Sequence, residues 1–341
     1  MVKPPLLKGV EKKILKLFKK LKVEPIEKED ILEKINQGLR RFYTAVCKDE
    51  KGRNFFLKVR VLRIRRVVKQ LNNEIKIYQF LNKIAKKISL NFLFPSILKK
   101  GKFQGLNFYL RDFIEGELAG QVREDFGYKK FFLKKLTPKE MNMAIFSFQR
   151  IPKSYTKKLK LHKHGGWWYY QHFLQLKKNF LNFFLKSPFN QKILTKKEVE
   201  KTEKILKKNK KFLDEMANFP THGDLYPNNI VITRDKKILL LDWELFHFNN
   251  YYFDPCFVWL LSYKEKKWQK KFFNLMMKNH RNSEKLFQLV LIFLTTHFAA
   301  ACWQALRKMK KIYPTPVLIK SREFNLLKYY LKLFKKAIKN F

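Results

Sequence analysis

Three side chains define the chemistry this sequence could perform. In the stretch Thr221-His222-Gly223-Asp224-Leu225-Tyr226-Pro227-Asn228-Asn229-Ile230, the carboxylate of Asp224 is followed five residues later by the amide of Asn229. A second carboxylate, Asp242, lies 18 residues beyond Asp224 in the run ILLLDWE. The segments IVITRD and ILLLD read as two strands, with Arg234-Asp235-Lys236 as the turn of a hairpin that folds Asp242 back toward Asn229. Two oxygen ligands beside a further carboxylate suit Mg²⁺, which prefers hard oxygen donors and shares them with substrate phosphates. Such a set is the equipment of phosphoryl transfer. Taken singly, an Asp capping a helix, an Asn in a turn and an Asp ending a strand are ordinary, so the argument rests on their order and spacing.

The elements that must position these residues can be read from the hydrophobic pattern. From Asn36 to Phe113 the short runs FYTAVC, FFLKVRV, FPSILKK and LNFYLRDF, rich in Phe, Tyr, Val and Ile, are separated by KDEKGRN and GKFQG. These are strands joined by hairpin turns. Between the second and third of them, Val68, Leu71, Ile75, Tyr78, Leu81 and Ile84 share one helical face, which predicts a helix over Val67 to Lys87. After Gly116 the chain turns mainly helical, with segments expected near 139–149, 168–186, 197–217, 284–309 and 323–339, and a strand-like island from Asn229 to Trp243. No repeat of 20 to 50 residues is visible. The expected class is α+β: a small antiparallel sheet with one long helix, followed by a larger helical part.

In residue type and separation, HGDLYPNNI and LLLDWE resemble the catalytic and metal loops of the aminoglycoside phosphotransferase and choline kinase-like family, the small-molecule branch of the protein-kinase-like fold. The resemblance implies a two-lobe fold with an N-lobe over 31–114 and a C-lobe over 115–341, preceded by an N-terminal helix within 1–30. It also implies ATP and Mg²⁺ as cofactors. Asp224 would orient the attacking hydroxyl or accept its proton, Asn229 and Asp242 would hold magnesium, and His222 would brace the loop. Glu244, in the DWE triplet, is given no role.

The same resemblance implies a lysine on the third strand and a glutamate on the next helix. Lys58 in FFLKVRV alternates with the apolar pair Leu57 and Val59, and Glu74 follows 16 residues later. Lys58 would contact the α and β phosphates, with Glu74 fixing its ammonium; the alternative is a solvated lysine and a solvated helix glutamate. The stretch LNFYLRDFIEGE is similar to the family's hinge. Asp112 and Ile114 would there present main-chain groups to adenine, and Gly116 would permit the turn out of the strand. A nucleotide loop with several glycines is missing, since NQGLRRFYTAVC offers only Gly38. Phe253-Asp254-Pro255 follows Asp242 within 12 residues and leaves no room for a protein kinase's activation segment. That argues for a small-molecule or lipid-headgroup acceptor, with Asp254 as a structural residue.

Composition bounds the rest. The 341 residues are 46% hydrophobic and carry 75 Lys and Arg against 28 Asp and Glu, a formal charge of +47. Of the cations, 61 are Lys and 14 Arg, spread evenly as a coding bias would spread them. A field this positive attracts polyanions, but no nucleic-acid motif is present and nucleic acid is not an expected partner. No protein partner is expected either. Cys47, Cys256 and Cys302 form no CxxC pair, which suggests neither a disulfide framework nor a zinc site. The N-terminal residues lack the continuous apolar core of a secretory signal, so the expected setting is cytoplasmic. From Leu286 to Leu306, 21 residues carry no Asp, Glu, Lys or Arg, and a buried core helix is favoured there over a membrane span.

Two lysine-rich amphipathic helices, over 5–22 and near the C-terminus, read as peripheral packing elements or as attachments to an anionic membrane surface. They raise the alternative of a kinase for a glycolipid or lipopolysaccharide sugar at the inner membrane face; a further alternative is a non-catalytic binding module. The acceptor itself is weakly constrained. Beyond Asp242 the only acidic residues are Glu244, Asp254, Glu265, Glu284 and Glu323, too few to line a pocket for a polycationic antibiotic. A sugar, amino alcohol or related metabolite is the expected hydroxyl acceptor. Trp167, Trp168, Tyr169, Tyr170, Trp243 and Trp259 could stack on it, or could be core and rim residues.

Overall fold

The structure, a computed structural model, describes residues 9–27, 41–62, 64–121, 126–278, 284–309 and 315–341, with side chains from 318 in the last stretch. A basic amphipathic helix, α1 (Val10–Leu21), opens the described chain. Strands β1 (Val23–Pro25), β2 (Phe42–Asp49) and β3 (Asn54–Arg60) follow, then the long helix α2 (Arg65–Ile84) and strands β4 (Ile97–Phe103) and β5 (Leu106–Asp112). The five strands form one antiparallel sheet in the order β1-β2-β3-β5-β4.

Local chemistry sets these hairpins. At the β2–β3 turn Gly52 takes φ 75°, and the Asp49 carboxylate accepts hydrogen bonds from the backbone N–H groups of Lys51 and Arg53 at 3.0 and 2.9 Å. At the β4–β5 turn Gln104 and Gly105 both have positive φ, the pairing that a tight two-residue hairpin requires.

Alternation along β3 divides the small lobe. Leu57 and Val59 point to an outer apolar layer, where they meet Val10, Ile14, Leu17 and Phe18 of α1, all buried. Lys58 points to the opposite face, toward α2 and the cleft. The N-terminal helix is therefore built into the small lobe's outer core. Lys12, Lys16, Lys19 and Lys20 remain outside.

The larger lobe starts with β6 (Gly116–Leu118), which pairs with the hairpin β8 (Ile230–Thr233) and β9 (Ile238–Leu240). Its helices include α3 (Pro138–Gln149), α4 (Gly166–Leu176) and α5 (Lys196–Lys208). Helices α3 and α5 open with complete capping boxes, Thr137 with Glu140 and Thr195 with Glu198. A second short pair, β7 (Phe219–Thr221) with β10 (His247–Asn249), is absent from the hydrophobic pattern because each strand has only three residues. Further on lie α6 (Phe253–Leu261), α7 (Lys266–Lys278), α8 (Glu284–Met309) and α9 (Arg322–Lys339).

Helix α8 is long and apolar enough to cross a membrane, but 78% of its most apolar window is buried within the protein. Much of that cover comes from α9, whose Leu327, Tyr330, Leu331 and Phe334 are buried while Lys328, Lys332, Lys336 and Lys339 stay exposed. Both terminal helices thus spend their apolar faces on the protein's own core. What they leave exposed is mainly lysine, with Leu15 of α1 also outside.

Because Leu17 is fully buried and Lys16 is exposed, Leu17→Ala should lower stability by about 2–5 kcal/mol, while Lys16→Ala should change it by no more than about 0.5 kcal/mol. Urea unfolding of the two variants checks this; equal small effects would mean that α1 is not part of the core.

Candidate active site

The loop from His222 to Asn229 joins β7 to β8, and Asp242 follows β9, so the short hairpin returns Asp242 to the level of Asn229. The N–H of Leu241 donates to the Asn229 carbonyl at 2.9 Å, which fixes that return. The hairpin turn falls where the sequence places it, with Lys236 at φ 61°.

Within the loop, the Asn229 amide Nδ2 donates both to the Asp224 carbonyl at 2.8 Å and to Asp224 Oδ2 at 3.0 Å. The loop is held from below by a buried carboxylate. Asp254 Oδ2 accepts from the His222 N–H at 2.7 Å and Oδ1 from the Gly223 N–H at 3.0 Å. Gly223 needs to be glycine: its φ is 81°, and a Cβ would lie 2.6 Å from the His247 ring.

His222 connects the two loops. Its Nδ1 accepts from the Asp224 N–H at 3.3 Å, so Nε2 carries the proton and donates to the Leu241 carbonyl at 2.9 Å. Burial pushes its pKa down to about 4, which keeps the imidazole neutral in this bridging role. Its ring lies 4.4 Å from Trp243, itself fully buried among Phe92 and Phe148.

Lys58 reaches across the cleft. Its ammonium bonds Glu74 Oε2 at 2.7 Å and Asp242 Oδ1 at 3.0 Å, with Glu244 Oε2 at 4.0 Å. Glu74 is placed by helix α2 and by Tyr109, which pairs with Lys58 across β3 and β5 and donates its hydroxyl to Glu74 Oε1 at 2.8 Å. Burial acts to lower the Lys58 pKa, but Asp242, Glu74 and Glu244 together hold it above the ordinary lysine range. Burial likewise acts to raise Asp242, and the Lys58 ammonium outweighs it and holds that carboxyl below its usual value. Asp224 has no such cation, so burial and then Asp242 and Glu244 push it up to about 8.

Asp242 itself is left-handed, at φ 60° and ψ 60°. For a residue with a Cβ this costs about 1–3 kcal/mol. Its N–H donates to the Tyr78 hydroxyl at 3.2 Å, and the buried Trp243 anchors the next residue.

These groups border a cleft of about 640 Å³ lined by Lys58, Glu74, Asn229, Asp242, Glu244 and Ile114, among others. Of the eight site residues read from the sequence, six are tied into this assembly: Lys58, Glu74, His222, Asp224, Asn229 and Asp242. Ile114 lines the cleft at the lobe junction. Asp112 already has main-chain partners: its N–H donates to the Ser96 carbonyl at 3.1 Å and its carbonyl accepts from Arg111 Nη1 at 2.9 Å. Gly116 is required for a different reason than a turn, since a Cβ there would lie 2.5 Å from the Ile232 carbonyl oxygen, where β6 approaches β8. Gly38, the sparse remnant of a nucleotide loop, lies outside the described residues.

Three residues of the cleft were not singled out or were left without a role. Glu244 joins Glu74 and Asp242 in a group of carboxylates whose oxygens lie within 4.8 Å of one another, and its Oε2 is buried without a hydrogen bond. Arg41, at the start of β2, donates to Glu244 Oε1 at 3.1 Å across the two lobes. Arg111 stands on β5 over the Phe56 ring. Of the aromatics considered for an acceptor, Trp243 and Tyr169 are core residues, and Trp167 is 60% exposed.

The chain shares its fold with solved phosphotransferases. A macrolide 2'-phosphotransferase type I superposes over 98% of both chains with a TM-score of 0.56 and 12% identity. The GDP complex of aminoglycoside 2'-phosphotransferase-IIIa covers 96% of this chain and 97% of its own, with a TM-score of 0.57 and 12% identity. The ADP-bound aminoglycoside phosphotransferase APH(2'')-Ib covers 96% and 99%, with a TM-score of 0.54 and 15% identity. No protein-family model and no curated protein matches the sequence. The architecture is therefore the two-lobe, protein-kinase-like fold of the aminoglycoside and macrolide phosphotransferases.

Lys58→Met would leave three carboxylates facing one another in a buried site. It should destabilise the nucleotide-free protein by about 3–5 kcal/mol, measured by chemical denaturation; a change below about 1 kcal/mol would show that the ammonium does not hold the lobes together.

Proposed function

We propose that the protein is a magnesium-dependent phosphotransferase that moves the terminal phosphoryl group of a nucleoside triphosphate to a hydroxyl group of a small molecule. The family resemblance implies ATP as that nucleotide. The observation that carries this reading is the placement of one buried ammonium against Glu74 and Asp242, beside the hydrogen-bonded pair Asp224 and Asn229. A scaffold retained only for binding would not need all of these groups together.

The donor chemistry fits Mg²⁺. Asp242 and Glu244 supply hard oxygens in the cleft, one of them a buried Glu244 oxygen without a hydrogen bond, and Asn229 supplies an amide from the loop beside them. Bound there, the ion would neutralise phosphate charge and hold the phosphates in line. Lys58 would hold the inner phosphates once its ammonium turns from Asp242. Asp224, fixed by Asn229, would orient the acceptor hydroxyl and take its proton. Phosphoryl transfer relies mainly on such positioning, so a strong base is unnecessary.

For the acceptor we favour a sugar, amino alcohol or related metabolite. The described acidic residues past Asp242 do not assemble into an anionic pocket for a polycation: Asp254 is under the loop, Glu244 is in the cleft, and Glu265 and Glu323 lie beside Lys130 and Arg322. The solved neighbours are named for antibiotics, and the sparse acidic residues past Asp242 argue against a polycationic acceptor for this chain. A cytoplasmic setting, where nucleoside triphosphates are abundant, completes the reading.

Two variants separate its parts. Wild-type protein should gain thermal stability with Mg²⁺ and nucleoside triphosphate, by about 2.7 kcal/mol at a hundredfold excess over Kd, and Asp242→Ala should abolish the gain. Asp224→Ala should keep the gain yet lower acceptor-dependent nucleotide consumption about a thousandfold or more in a screen of sugars and amino alcohols. Failure of both ATP and GTP to stabilise the wild type would overturn the assignment.

A further inference from the structure

A nucleoside triphosphate entering this cleft would bring its negative charge to a place already rich in it. Glu74, Asp242 and Glu244 share one lysine, and Asp224 stands on the loop beside them. Among the described residues that line the cleft there are two further cations, Arg41 and Arg111. Arg111 is buried and committed to the Asp112 carbonyl, whereas the Arg41 side chain is 47% exposed.

Arg41 is fixed at its root and half exposed at its tip. Its carbonyl accepts from the Val61 N–H at 3.2 Å, which seats it at the head of the β2–β3 ladder. From there Nη1 donates to Gln70 Oε1 of α2 at 2.7 Å and Nη2 to Glu244 Oε1 of the large lobe at 3.1 Å. Its charge reaches further than these bonds. Burial raises the Asp224 and Glu244 carboxyls and Arg41 opposes that rise, and it adds to the pull of Lys58 on Asp242. One cation therefore acts both on the residue that would meet the acceptor hydroxyl and on the pair that would hold magnesium. A terminal phosphoryl group must lie between those two sets of groups, because it is held by the metal on one side and attacked on the other.

The sequence ahead of β2 shows why a side chain is needed there. A glycine-rich turn cradles phosphates with bare main-chain N–H groups, but the run NQGLRRFYTAVC has one glycine, Gly38, and two arginines, Arg40 and Arg41. A guanidinium presents its N–H groups in a rigid plane matched to phosphate oxygens. In the nucleotide-free cleft a carboxylate oxygen, Glu244 Oε1, takes the place of such an acceptor.

Building on the nucleotide-site reading above, we propose that Arg41 is a catalytic residue: on nucleotide binding its guanidinium leaves Glu244 and hydrogen-bonds the terminal phosphoryl group, whose charge it stabilises during transfer. The exchange also frees Glu244 Oε1. In the transfer the acceptor oxygen bonds to the terminal phosphorus, the bond from that phosphorus to the bridging oxygen breaks with its electron pair leaving on the diphosphate, and the hydroxyl proton passes to Asp224. Arg41 exchanges no atom.

Calorimetric titration of the full chain with ADP and with the non-hydrolysable triphosphate AMPPNP, each with Mg²⁺, tests this in wild type, Arg41→Gln and Arg41→Lys. The two nucleotides differ in the terminal phosphate, the group assigned to Arg41. Arg41→Gln should weaken AMPPNP binding about tenfold or more, the worth of a hydrogen bond to a charged group, and should leave ADP affinity equal or improved, since the contact that holds Glu244 is lost as well. Arg41→Lys, which keeps the charge without the fork, should show a smaller loss of the same selectivity, and it carries the test if Arg41→Gln fails to fold. Affinities for the two nucleotides that fall or rise together would show that Arg41 only bridges the lobes through Glu244 and would overturn the inference. GDP and GMPPNP, run in parallel, cover a preference for the other purine. Binding of none of the four to the wild type would remove the nucleotide site, and the inference with it.

Discussion

The structure turns on one ammonium group. Lys58 comes from the small-lobe sheet, Glu74 from the helix beside it, and Asp242 and Glu244 from the large lobe, so three parts of the fold converge on a single buried cation. A charge taken out of water must find partners or become costly. Here the partners lie on both sides of the cleft, and the relative position of the lobes is therefore tied to the protonation and occupancy of the site. Asn73 and Arg41 reinforce the same junction from the small lobe, donating to the Glu244 carbonyl at 2.8 Å and to its carboxylate.

Behind the cleft residues lies a layer that does not line the cleft. Asp254 satisfies two N–H groups of the loop from His222 to Asn229, the neutral His222 bridges that loop to Leu241, and Trp243 fills the space beneath both. Each of these is a polar or aromatic group whose partners are all internal. The layer explains how a residue in a left-handed conformation such as Asp242 can persist. Its N–H, its carboxylate and the residue that follows are each held by a different element, so relaxing the backbone would break several contacts together.

Much of this could be read from the sequence, for a physical reason. Asp224, Asn229 and Asp242 are brought together by a hairpin only a few residues long, and short-range turn chemistry is visible in residue order. The helix from Arg65 to Ile84, the strand alternation around Lys58 and the burial of Leu286 to Leu306 were legible through periodicity. Contacts set by register and close approach were not. Gly116 looks like a turn glycine, but its role is set by β8, more than a hundred residues away. The pairing of β7 with β10 depends on three-residue strands that leave no pattern. Arg41 and Glu244 meet across 203 positions, which no local reading can supply.

Arg111 did leave a signal. In a chain with 61 lysines and 14 arginines, an arginine inside the apolar strand LNFYLRDF is out of character with the coding bias. Lysine can place its charge outside while its stem lies along apolar surface, and both terminal helices use it so. A planar guanidinium can instead lie flat on an aromatic ring and direct several N–H groups in fixed directions. The large positive charge of the surface draws polyanions without distinguishing among them. Buried cations differ, because geometry and the absence of competing water make each of their hydrogen bonds count. In the described structure those cations are Lys58, set against carboxylates from both lobes, and Arg111, set against a carbonyl beside the lobe junction.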